Sequence, residues 1–307
     1  MRWQGRRKST NVRDAGSAGG RSALGSGGAA GLVFMLVRML FNRFGIGGIV
    51  ILVIGFFALQ ALGLNPLQLL GGQQASVQQS GQQAAGQADP CNSGDETREF
   101  LCVVLASTED VWNAEFQKRG QSYEEPGLVF FSGGVQAGAC GFASSAVGPF
   151  YCPATKDAYL DTAFFKELAG RFGAGGDFAQ AYVIAHEVGH HIQTITGTSA
   201  QVQRAKQGRS KAEQNNLQVR MELQADCLAG VWAYNENQMG YLEDGDIEEA
   251  LRAANAIGDD TLQRQAGRTP MPDSFTHGTS EQRMRWFKTG YASGRMEDCD
   301  TFGAARL

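Results

Sequence analysis

Two hydrophobic patterns divide the chain. Residues 44–64 read FGIGGIVILVIGFFALQALGL, twenty-one positions without a charged side chain. That length suits one crossing of a bilayer core about 30 Å thick. Beyond residue 91 the apolar positions alternate with polar ones instead. Over 96–119, Phe100, Val103, Val104, Val111, Trp112 and Phe116 recur at helical spacing and predict a helix with one buried face. Short apolar runs at 128–131 and 150–152 predict strands, the second aromatic and ended by Pro153. Residues 158–161 predict a returning strand, hence an antiparallel hairpin. Helical patterns follow at 162–172, 177–193, 213–234, 246–257 and 279–291, whereas 194–210 is polar and reads as a loop with helical turns. The expected fold is α+β and mostly α, with a small antiparallel sheet, preceded by a single transmembrane helix.

Charge sharpens the boundaries. Residues 1–43 hold eight Lys and Arg against Asp14 alone, while the remainder holds 19 basic and 30 acidic residues. Residues 1–30 are basic and rich in Gly, Ser and Ala, so disorder is expected there. Arg38 and Arg43 flank only the N-terminal side of the apolar run. The positive-inside rule then predicts a cytoplasmic tail over 1–43, a membrane helix over 44–64 and an exported remainder. A cleaved signal peptide is the alternative, since Ala61 and Gly63 are small, but the basic region before the run is much longer than signals carry. Residues 65–90, rich in Gly, Gln, Ala and Ser, read as a flexible linker into a domain over 91–307. The acidic main part argues against nucleic-acid binding, because phosphate neutralisation needs Lys and Arg.

The six cysteines, Cys91, Cys102, Cys140, Cys152, Cys227 and Cys299, all follow residue 90, and none forms a C-x-x-C pair. An even, dispersed set fits disulfides in an oxidising compartment better than a cysteine zinc site. Local pairing gives Cys91–Cys102, Cys140–Cys152 and Cys227–Cys299; free buried thiols are the alternative.

The chemistry gathers in one helical stretch. His186-Glu187-Val188-Gly189-His190 is an H-E-x-x-H motif. Positions i and i+4 on a helix lie about 40° apart around the axis, so both imidazoles can hold one metal ion, with Glu187 beside it as a general base. Gly189 costs about 1 kcal/mol of helix propensity and implies a second segment packed close. A catalytic zinc site needs a third protein ligand and an open position. Glu222 supplies the ligand, and Asp226, one turn on, is placed to accept the free N–H of a ligating histidine. A solvated acidic face is the bland reading of that pair. The chain has four histidines. His191 points about 140° from His186 and reads as a supporting or surface residue. His277 lies in a loop before the last helix, where it could donate to an oxyanion or merely cap.

H-E-x-x-H followed by E-x-x-x-D resembles gluzincin zinc metallopeptidases, including the multi-pass CAAX prenyl proteases, which carry a late histidine and arginine similar to His277 and Arg283. A closer resemblance is to the bacterial putative neutral zinc metallopeptidase family (YpfJ-like). It is carried by Met1-Arg2-Trp3-Gln4-Gly5-Arg6-Arg7, the single early hydrophobic segment, Gly148-Pro149-Phe150-Tyr151-Cys152-Pro153, Ala185 with the motif, and Glu222-Leu223-Gln224-Ala225-Asp226. The resemblance implies a zincin-like domain on the outer face of the bacterial inner membrane, hydrolysing peptide or protein substrates. Zn2+ would be held by His186, His190 and Glu222, with Glu187 as base, Asp226 behind a histidine, and Arg283 supporting His277 at the oxyanion. The strand at 150–152 could pair with an extended substrate. The rival readings are a metal-binding scaffold without proteolysis, or zinc hydrolysis of a non-peptide bond.

Overall fold

A computed structural model describes residues 1–17 and 89–307. The candidate membrane helix over 44–64 and the linker over 65–88 lie outside the described residues. Among the described residues no helix is long and apolar enough to cross a membrane.

Three of the described α-helices open on side-chain caps. Asp95 caps α1 (Glu96–Lys118) by accepting from the backbone N–H of Thr97 and Arg98. Strands β2 (Gly127–Ser132), β3 (Gly134–Gln136), β4 (Phe142–Ser144), β5 (Phe150–Cys152) and β6 (Asp157–Leu160) follow. Then come α2 (Ala163–Phe172), α3 (Asp177–Ile195) and α4 (Thr198–Lys206). The longest helix, α5 (Lys211–Gln238), opens on a Ser210–Glu213 capping box. Helices α6 (Asp246–Ala256), α7 (Asp259–Gln265) and α8 (Ser280–Ser293) complete the domain, α8 starting at a Thr279–Gln282 capping box. The segment expected to be a loop after the motif is in fact α4. It follows Gly197, whose positive φ of 84° turns the chain between two helices.

The sequence offers Asp177 as the N-cap of the motif helix, and the structure places the cap one residue earlier. Asp177 is its first residue, and Gly176, at φ 124°, stands at the cap without a side chain to donate to. The orphan N–H of Phe178 is met instead by Glu249 of α6, at 3.0 Å. A Cβ at Gly176 would collide with that same carboxylate.

The N-terminal residues correct the expected disordered tail. Residues Val12–Ser17 form β1, which pairs parallel with β2. Ser9 N–H donates to the Cys102 carbonyl, Lys8 Nζ to Cys91 O at 2.6 Å, and Arg6 Nη1 to buried Glu236 at 2.7 Å. Trp3 packs edge-on against Phe100. Basic composition over 1–17 therefore answers acidic partners in the domain, which a composition rule for disorder does not weigh. These contacts make residues 1–17 part of the same folded unit as residues 89–307.

The sheet order is β1-β2-β6-β5. β1, β2 and β6 run parallel, and only β5 is antiparallel, to β6, so the sheet is mixed rather than antiparallel. β3 and β4 form a separate hairpin. β5 is a free edge of the main sheet, facing α3.

Behind the sheet, α3, α5 and α8 pack through glycines. A Cβ on Gly189 of α3 would stand 2.9 Å from Ala225 Cα of α5. Side chains at Gly230 and Gly290 would overlap the facing backbones of α8 and α5. The three disulfides are Cys91–Cys102, Cys140–Cys152 and Cys227–Cys299. The last closes a separation of 72 residues, and chain entropy gives such a crosslink about 4 kcal/mol.

Candidate metal centre

α3 and α5 cross side by side, and the crossing brings His186, His190 and Glu222 together. One ligating atom from each lies within 4.8 Å of the others. Glu222 Oε2 stands 3.3 Å from His186 Nε2 and 3.3 Å from His190 Nε2. Tetrahedral ligands about 2.1 Å from a zinc ion stand about 3.4 Å apart, so the spacing fits one ion.

The protonation pattern fits as well. His186 Nδ1 donates to Asp226 Oδ1 at 2.8 Å. His190 Nδ1 donates to Gln193 Oε1 at 2.9 Å, since Gln193 Nε2 is already spent on Met221 O and Gln224. Each Nδ1 is thus a donor, which leaves Nε2 as the nitrogen that turns to Glu222 and that gives up its proton to offer a lone pair when a cation binds there. Burial disfavours charge on Glu222, yet His190 and His186 hold its carboxyl well below the ordinary range. Burial likewise opposes protonation of His186, but Asp226 and Glu222 outweigh it and raise the imidazole to about 9. The same burial lifts Glu187, partly opposed by the two histidines.

Asp226 is the hub beneath this centre. It is fully buried and accepts from Tyr182 Oη at 2.5 Å, from Arg283 Nε at 2.9 Å and from Arg283 Nη2 at 2.9 Å. Arg283 also donates to Tyr182 Oη and to the Ile257 carbonyl. The arginine therefore braces Asp226 from α8, and it shares the lining of the cleft with His277. His277 is half-exposed, and its Nδ1 faces Asp259 Oδ1 at 3.2 Å. Asp259 Oδ2 accepts the N–H groups of Thr276, His277 and Gly278, which fixes that loop.

Of the two readings of His191, supporting or surface, the structure takes the first: the side chain is wholly buried. Its Nε2 donates to Glu124 O at 2.5 Å, so its Nδ1 accepts from Tyr151 Oη at 3.0 Å. The second histidine of the His190-His191 pair thus pins the edge strand β5 to the motif helix.

An open cleft of about 530 Å³ leads to the centre. Its walls include Phe150 and Tyr151 of β5, Val202 and Lys206 of α4, and His277; His186, Glu187, His190 and Glu222 line its floor. Tyr182, Gln193 and Asp259 were not singled out in the sequence. Tyr182 lies one turn before His186 and Gln193 three residues after His190, so helical spacing from the motif finds both. Asp259 has no such signal.

Residues 1–302 match the family described as putative neutral zinc metallopeptidase. The chain is 47% identical to the uncharacterized protein YpfJ of Escherichia coli (strain K12), over 99% of both chains. It is 44% identical to the uncharacterized protein Rv2575 of Mycobacterium tuberculosis, over 71% of this chain and 76% of that one. No solved structure matches. The match along nearly its whole length shows that the chain belongs to the putative neutral zinc metallopeptidase family.

Proposed function

We propose that this protein hydrolyses peptide bonds with a zinc ion held by His186, His190 and Glu222. The observation that carries the reading is the convergence of two Nε2 atoms and one carboxylate oxygen at tetrahedral spacing, at the floor of a cleft that Glu187 shares. Bound there, zinc would supply Lewis-acid polarisation of water and of the scissile carbonyl. Glu187 takes a proton as water adds to the carbonyl carbon and returns it to the amine as the C–N bond breaks. β5, a free sheet edge on the cleft wall, offers backbone pairing to an extended substrate. His277, held at Nδ1 by Asp259, has Nε2 left for the reacting oxygen.

Metal analysis and a broad peptide library test this reading. One zinc per chain is expected, with cleavage abolished by a chelator and restored by Zn2+. A zinc-loaded protein that cleaves nothing would leave the metal-binding scaffold as the better reading.

We also place the folded domain in an oxidising compartment, with the apolar run over 44–64 entering and leaving the membrane on the domain's own face instead of crossing it once. The three disulfides and that run support this. Because residues 1–17 pack into the domain, both ends belong on the same face. Cysteine-accessibility labelling of tags at each terminus in intact cells should report one side for both. Opposite sides would overturn this arrangement.

A further inference from the structure

The third ligand has a support that the family motif does not contain. Gln218 stands one turn before Glu222 on α5, and its Nε2 donates to Glu222 Oε1 at 2.7 Å. Its Oε1 accepts from Lys206 Nζ at 2.5 Å. Lys206 is the last residue of α4, so the contact ties that helix to α5 on the wall of the cleft.

The direction of this relay follows from the groups themselves. A carboxylate offers only acceptors, and an ammonium offers only donors. An amide between them satisfies both in one orientation, with its nitrogen on Glu222 and its oxygen on Lys206. Among the described residues no carboxylate lies within ion-pair distance of Lys206 Nζ, so the lysine acts here on a neutral amide. With Oε1 of Glu222 engaged by Gln218, Oε2 is the oxygen presented to both histidine Nε2 atoms.

We propose that Gln218 is the positioning residue of Glu222, and that Lys206 sets the orientation in which the Gln218 amide can do so. The inference rests on the zinc reading above. Without the relay Glu222 is free to turn about its terminal bond, and a ligand so freed binds metal less tightly. Loss of a hydrogen-bond partner behind a metal ligand typically costs about 10–100-fold in metal affinity. An ordinary i,i+4 pair on a helix surface would add only a few tenths of a kcal/mol to stability and nothing to metal binding.

The test measures zinc affinity by chelator competition on the folded, metal-stripped full chain, with urea midpoints alongside and Co2+ visible spectra as a second readout. Gln218→Met removes both hydrogen bonds. Gln218→Glu keeps the acceptor for Lys206 but sets a second carboxylate against Glu222. Both are expected to weaken zinc by about 10–100-fold and to alter the Co2+ spectrum, with little change in the urea midpoint. Lys206→Met should weaken zinc less, and should add nothing once Gln218 is methionine. Wild-type affinity in Gln218→Met would overturn the proposal, as would an affinity loss that merely tracks unfolding. Additive effects of the two substitutions would overturn the role of Lys206. If the wild type binds no zinc, the metal reading itself falls and takes this inference with it; a zinc-binding wild type with indifferent variants sinks the inference alone.

Discussion

Glu187→Gln is expected to keep one zinc per chain while losing peptide hydrolysis by about 10³-fold. The amide preserves the volume and hydrogen-bonding reach of the side chain but cannot accept a proton from water. Glu187 is not among the three converging ligand atoms, so the ion should stay. Burial disfavours charge on this carboxyl, so the neutral amide is expected to leave the thermal melt unchanged. Lost activity could not then be blamed on lost stability. Metal analysis, a thermal melt and single-turnover cleavage of a library-derived peptide form the check. Retained hydrolysis in a zinc-loaded Glu187→Gln protein would remove Glu187 from the reaction and, with it, the proposed chemistry.

The motif helix and its partner were legible because both obey a spacing rule. His186 with His190, and Glu222 with Asp226, each repeat one helical turn apart. Gly189 announced the close crossing that Ala225 occupies. What escaped the sequence is whatever depends on distant chain segments meeting. β1 adds to the sheet through parallel pairing, which needs a long connection and leaves no local turn signal. The charges of Arg6 and Lys8 look like a solvated tail until Glu236 and the carbonyl of Cys91 are seen against them. Asp259 holds His277 from eighteen residues away across a turn, beyond any periodicity. The placing of Arg283 has the same origin: it is buried against Asp226, a partner 57 residues earlier on another helix.

That burial makes Arg283→Met the second large effect. Arg283 and Asp226 are both nearly inaccessible to solvent. Burial alone would raise the Asp226 carboxyl, yet Arg283 and His186 bring it down to about 2, so it is charged wherever the protein works. Removing the guanidinium leaves that charge with Tyr182 and His186 only, and breaking such a pair on one side costs about 3–5 kcal/mol. A second substitution separates fold from function. In Arg283→Met with Asp226→Leu no charge is left stranded, and a buried pair exchanged for apolar groups of similar size is often neutral or stabilising. Urea midpoints should therefore recover in the double variant. Zinc affinity should not, because His186 Nδ1 has lost its acceptor and nothing fixes the tautomer that frees Nε2; a fall of about 10–100-fold is expected by chelator competition. Recovery of both stability and zinc binding would mean that the Asp226–Arg283 pair serves packing alone. Recovery of stability without zinc binding would assign the pair to the metal centre, with α8 joined to α3 and α5 as a structural part of it.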